Sequence, residues 1–328
     1  LGKLTCTTEA GDARTLTVAG TTSITGTLIA TSQDLVLGSN VDDAYSVVVN
    51  ANGTFTGGSG THTLGAVNVS SSANNFTFSS GTTTINGRAT SGNSRRVFST
   101  AATNKITAAG TLIIDQARTP LSIRCDDTTG INNLTMNCGS GRVLHLDGNL
   151  TVGGNLNVSA GTVTTRNVGD SADNDLTVTG DVTIAASGTL TGNASAISMG
   201  NLTINSGGTY SATNGTTTIT GPVNAAWLVN QQSGGTFTHN NGELDIKAGA
   251  NSGHIRVTAY DLKISMTGSN RVIWRDISGD EMTVANDLTI VQGGFDRNTL
   301  TDNLTVTGDV VIEDGGKIGD QNGGSAET

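Results

Sequence analysis

Two pairs of adjacent carboxylates, Asp126-Asp127 and Asp280-Glu281, come nearest in this chain to catalytic types at a catalytic spacing. Two carboxyl groups facing each other across ~5–9.5 Å hydrolyse glycosidic bonds, one as acid and the other as base or nucleophile. Adjacent residues of a strand point to opposite faces, so neither pair makes such a dyad by itself. The pairs also fall at matching positions of two copies of a repeat, whereas a catalytic pair needs to occur only once. The expected role is a turn or solvated corner, with a cation site as the alternative.

The remaining candidates are weaker. Asp170, Asp173 and Asp175 resemble a calcium loop, but the twelve-residue pattern with its terminal Glu is missing. His62, His145, His239 and His254 are scattered, and no Ser–His–Asp arrangement has the context of a nucleophile. His239 stands in a repeated motif whose other copies carry Gly57, Phe78 and Ala212, so a surface role is expected for it. Trp227 and Trp274 would stack on sugar rings if exposed, and packing at a shoulder of the fold is the expected alternative. If the chain has a recognition patch, residues 271–276 (RVIWRD), which break the repeat style, are the place to look. Cys6, Cys125 and Cys138 show no zinc-ligand spacing. Cys125 and Cys138 fit neighbouring rungs, where buried free thiols are expected. Asn-x-Ser/Thr sequons such as those at Asn68, Asn75, Asn149 and Asn303 are discounted, since they fall in or beside expected strands. No catalytic, cofactor-binding or metal-ligating residue is therefore assigned.

The elements that would position these residues follow from internal repeats. One motif reads Asn/Asp, Leu, Thr/Lys, then Val/Ile/Met, and begins at Asn133, Asn149, Asp175, Asn201, Asp261, Asp287 and Asn303. Its leucines are 16, 26 and 26 residues apart in the first group, and 26 and 16 apart in the second. Leu and the residue two later share one face of a strand. The Asn or Asp in front fits a turn, bonding nearby backbone. A second motif, an aromatic followed five residues later by Gly and nine later by Ile or Leu, begins at Phe55, Phe76, Tyr210 and Phe237. Residues 55–163 and 210–318 align at an offset near 154 as two copies of one unit, with 164–209 as extra rungs.

Composition agrees. Among 328 residues there are 45 Gly and only 2 Pro, with 13% charged and 3% aromatic side chains. Gly, Thr, Ser and Asn disfavour helix and suit short strands between tight turns. A strand flanked by turns buries its apolar face only by stacking on further copies. The fold expected is all-β, a parallel β-helix (β-solenoid) of about 12–16 rungs of 20–26 residues, running through 1–328 as one continuous domain with a narrow core. Residues 315–328 read as loop. Neither end shows a capping helix, so a neighbour, further chain or a second copy is expected to cover the open edges. The net charge of −10 and the lack of a Lys/Arg run argue against nucleic acid as a partner. No apolar run is long enough for a membrane span.

Strings such as LTVTGDVTI (176–184) and TFTHNNG (236–242) resemble two groups of β-solenoid repeat proteins. One is phage virion proteins, namely tail fibres, tailspikes and capsid decorations. The other is bacterial adhesins of the filamentous-haemagglutinin and autotransporter-passenger type. The likeness spans residues 16–318 and is one of repeat style. It implies an extracellular or virion-surface setting and carries no site residues over. The expectation is a non-enzymatic structural protein of a virion exterior, a rigid rod involved in surface attachment. A secreted adhesin is the first alternative, and a polysaccharide-degrading tailspike the second. Expected partners are copies of itself, as in a trimer, other virion proteins, and a cell-surface glycan or receptor. No cofactor is expected.

Overall fold

The structure is a computed structural model that describes residues 3–6, 14–41, 44–70, 75–91, 94–100, 106–127, 130–221, 227–249, 252–268, 270–275, 282–297 and 303–320. It is all-β, built from parallel strands stacked as a β-solenoid of about 12 rungs. The chain divides into two compact units, Leu1–Leu176 and Thr177–Thr328.

In the first unit three parallel ladders form the walls. One runs Lys3–Cys6, Thr27–Ala30, Thr54–Thr56, Asn75–Thr77 and Ile106–Thr107. A second runs Thr15–Val18, Asp34–Leu37, His62–Leu64, Thr82–Ile85, Thr111–Ile114, Asn133–Asn137 and into Leu156–Thr164. The third runs Thr22–Ile24, Val47–Val49, Val67–Val69, Ser94–Thr100, Leu121–Cys125 and Val143–Leu146, ending on the far half of Leu156–Thr164. Ala89–Ser91 departs from the pattern, pairing antiparallel with Ser94–Thr100 as a hairpin. The second unit repeats the plan. Ile197–Met199, Thr216–Ile219, Glu243–Ile246, Asp261–Ser265, Leu288–Arg297 and Val310–Ile312 stack in one wall.

Alternation drives the stacking. In Thr111–Ile114, Leu112 and Ile114 are buried while Thr111 and Ile113 face outward. Leu112, Leu134 and Leu156 then lie in register one above another, removing a continuous apolar strip from water. The few aromatics are concentrated inside rather than dispensed with. Phe55 stacks on Phe76 at 4.7 Å, and Phe76, Phe78 and Phe98 form a fully buried cluster. Corners need glycine where the chain nears the rung below. Gly58 and Gly110 have φ of +60° and +49°, and a Cβ there would lie 1.8 Å from the Ala30 carbonyl oxygen and 2.1 Å from that of Gly81.

Two expectations change in detail. The 16-residue spacing of leucines does not stack Leu150 on Leu134, because Leu134 pairs with Leu156 and the strand Leu150–Val152 belongs to another wall of the same rung. The stacking offset instead varies, from 18 residues between Glu243 and Asp261 to 31 between Val67 and Phe98. Corner loops absorb the difference while the strands stay in register. The segment expected to be loop from 315 on contains a strand, Gly316–Asp320, parallel to Leu288–Arg297 with Ile318 over buried Phe295. Residues 321–328 lie outside the described part.

In four copies the Asn or Asp ahead of the leucine accepts a bond across rungs rather than within its own turn. Asn133 Oδ1 accepts from the Asn155 backbone N–H at 2.9 Å, and Asn149 Oδ1 from that of Asp175 at 2.9 Å. Asp261 Oδ1 accepts from the Asp287 N–H at 3.1 Å, and Asp287 Oδ1 from that of Asp309 at 2.8 Å. A side chain that caps the next rung's backbone donor fixes the register that the apolar strip alone leaves free to slide.

Candidate functional site

The carboxylate pair Asp126-Asp127 splits between two environments. Asp126 is half-buried and takes the Arg124 guanidinium at 2.7 Å. Asp127 is buried, and its Oδ2 accepts the Ile106 N–H at 2.9 Å one rung away. Both residues lie just past the end of the strand Leu121–Cys125, and Asp127 serves the stack. Asp280-Glu281 lies outside the described residues. Asp170 accepts the Ala172 N–H at 2.9 Å as a local turn, and Asp173 pairs with Arg166 at 3.4 Å. Among the described residues no three His, Cys, Asp or Glu side chains gather where they could hold a metal ion.

His62 is fully buried at an inward position, between Leu35 and Thr83 of the neighbouring rungs. Its Nε2–H donates to the Gly57 carbonyl at 2.6 Å and its Nδ1 accepts the Leu35 N–H at 3.2 Å. Acceptance at Nδ1 requires the neutral ring, and burial lowers its pKa below 6.5. His145 and His254 are lowered by burial as well. Cys125 and Cys138 are free and buried, and burial pushes their thiols up to about 12 and about 11. Nothing is described of the Cys6 side chain.

The tryptophans do not form the recognition patch. Trp274 is buried inside the second unit, and Arg271 beside it is spent on the buried carboxylate of Asp296, 2.5 and 2.7 Å from its Nη1. Asp276 lies outside the described residues. Trp227 is half-buried but its ring is covered, with the Arg256 guanidinium 5.2 Å from the centroid and the His254 ring at 5.5 Å.

A small recess in the second unit is a feature that sequence reasoning missed. The rung from Thr216 to Glu243 takes 27 residues and the one from Leu262 to Leu288 takes 26, but the rung between them takes 18. Below the short rung Tyr210 and Phe237 lie in register, their rings meeting edge to face at 5.4 Å. Within it the chain has only Ala259 on that side, bridged to Val284. Phe237 is left half-exposed, whereas Phe55, Phe76 and Tyr210 are fully buried. The recess is small and is lined by residues including Phe237, His239, Glu243, Leu244, Ala259 and Tyr260. His239 and Tyr260 stack at 5.4 Å and 29°.

The loop carrying His239 is well held. Asn240 and Asn241 take φ of 52° and 61°, a conformation that Asn tolerates better than most residues. Asn240 Nδ2 donates to Ser211 Oγ at 2.8 Å and to the Ala212 carbonyl at 2.7 Å in the rung below. The readable signal was the spacing of ELDI (243–246) from DLKI (261–264), too short for a third strand.

Compared with known proteins, the chain matches no family model, no curated protein and no solved structure.

Proposed function

We propose that this protein is a non-enzymatic structural module of a virus-particle exterior, a fibre, spike or capsid decoration, that takes part in surface attachment. The observation that carries the reading is the cross-rung locking of a parallel stack. Within each unit apolar strips and Asn/Asp ladders run through successive rungs with few interruptions. Such a stack is stiff and displays long walls of short polar side chains, which suits a scaffold. The repeat style shared with phage virion proteins supports the setting.

Self-association fits the same reading. Val310, Val311 and Ile312 are 50%, 47% and 48% exposed on the strand that follows Leu288–Ile290 in register. An edge of this kind offers a second copy both backbone partners and an apolar strip. Light scattering coupled to size exclusion on the 328-residue chain tests it. A stable homo-oligomer, such as a trimer, is the expected result. A monomer at micromolar concentration contradicts assembly as a fibre or spike.

A further inference from the structure

We propose that the rung at 304–320 of one copy docks on the rung at 3–24 of a second copy, strand on parallel strand. This rests on the self-association reading above and names the surface that meets the exposed strand. The rung at 304–320 has three strands, Leu304–Val306, Val310–Ile312 and Gly316–Asp320, and the rung at 3–24 has Lys3–Cys6, Thr15–Val18 and Thr22–Ile24. Among the described residues each of these strands pairs on one side only.

The uncovered sides cut through the core. Val310 and Ile312 lie in register over Leu288 and Ile290, which are fully buried, yet are themselves 50% and 48% exposed. Leu304 and Val306 are half-exposed over buried Met282 and Val284. The other rung shows the same step, with Leu16 and Val18 half-exposed against fully buried Leu35 and Leu37. These are core positions left open where one more rung would stack, and each surface takes a rung as its natural cover.

The backbone agrees. The Leu288 N–H donates to the Asp309 carbonyl and the Glu313 N–H to the Ile290 carbonyl, both at 2.9 Å. A parallel ladder turns alternate residues to opposite sides, so Val310 and Ile312 direct N–H and C=O to the open side. The Gly38 N–H donates to the Val18 carbonyl at 2.8 Å, which by the same rule leaves Thr15 and Thr17 directed to the open side of the other rung. Two such rows satisfy each other at the ~4.8 Å spacing used within the stack.

Charge and direction favour unlike rungs over like ones. Two copies of the rung at 304–320 would meet across a two-fold axis, which sets facing strands antiparallel. They would also press Asp309, Glu313, Asp314 and Asp320 against the same acids, with Lys317 alone to offset them. Residues 1–24 are neutral, Lys3 and Arg14 balancing Glu9 and Asp12. A head-to-tail contact of this kind builds open chains, or a ring if the rotation closes.

The test is sedimentation velocity on the full chain with two edge variants. Thr17→Pro and Ile312→Pro each remove one N–H that faces the open side, where an uncovered edge tolerates proline. Wild type is expected to associate, and each variant alone to do so roughly tenfold more weakly or worse, because a facing carbonyl is left unpaired. An equimolar mixture of the two is expected to form dimers at wild-type affinity and nothing larger, since each partner supplies one intact rung. Should a proline variant lose the wild-type urea transition, Leu16→Asp and Ile312→Asp take the two places. Either variant associating alone as tightly as wild type, or a mixture that stays monomeric while wild type associates, overturns the docking and leaves self-association standing. A monomeric wild type overturns both.

Discussion

Replacing Asn133 by alanine tests the cross-rung ladder at a residue that ties three rungs together. Its Oδ1 accepts the Asn155 N–H at 2.9 Å and its Nδ2 donates to the Gly110 carbonyl at 3.1 Å. Each such bond contributes ~0.5–1.5 kcal/mol net, so the pair amounts to about 1–3 kcal/mol. Part of that is recoverable. The Asn155 N–H is near solvent, and the Gly110 carbonyl keeps the Asn132 amide at 3.0 Å. The expected cost is therefore about 1–2 kcal/mol, or roughly 3–6 °C for a unit of this size. Asn133→Asp keeps the acceptor, loses the donor and sets a carboxylate against a carbonyl oxygen, so it should cost at least half as much. Urea titration with an unchanged m-value provides the measurement. The control is Asn137→Ala, at an exposed position of the same strand, expected within ~0.5 kcal/mol of wild type. If Asn133→Ala is as silent as that control, the ladder does not hold the rungs together and the reasoning fails.

Other predictions follow from the same contacts. Arg271→Ala strands the buried Asp296 carboxylate and should destabilise the second unit by about 3 kcal/mol, with Arg271→Lys intermediate; a urea shift under 1 kcal/mol contradicts the ion pair's role. The histidine pKa values are lowered in the folded state, so above about pH 6.5 both states are neutral and stability is full. Below that pH the unfolded chain takes up protons first, so the urea midpoint should fall between pH 7 and pH 5, less steeply in His62→Gln. A midpoint that rises on acidification would refute the assignment of neutral, buried His62. In a Cys6→Ser background, Cys125 and Cys138 should resist a disulfide reagent at pH 8 and react at once in denaturant, because both are buried and held as thiols. Rapid reaction of the native protein would place them elsewhere.

The walls of the solenoid were legible because alternation is local. Leu134 and Met136 sit two apart, and that spacing alone puts them on one face. Register was harder to read. Asn133 looks like a turn residue in isolation, and its partner lies 22 residues on, at a distance set by corner loops of variable length. The 16-residue leucine spacing joins two walls of one rung. The strand at 316–320 has one apolar residue, Ile318, among glycines and charges, too little to show alternation. His62 was hidden because a histidine in a strand reads as outward, while here two cross-rung bonds satisfy it at an inward position. The recess arises from an absent strand, and a missing segment leaves only a shortened interval as its trace.

The central claim is that successive rungs stack parallel and in register, and engineered disulfides test it most directly. Thr63 and Thr84 are paired outward positions of adjacent rungs. Parallel neighbours lie ~4.8 Å apart, inside the ~4.4–6.8 Å that a disulfide spans. The double variant Thr63→Cys/Thr84→Cys should form that bond under mild oxidation, seen by mass spectrometry of non-reduced peptides. The variant Thr63→Cys/Thr83→Cys, one residue out and on opposite faces, should not. Equal cross-linking of both, or of the second alone, would contradict the stack on which the account is built.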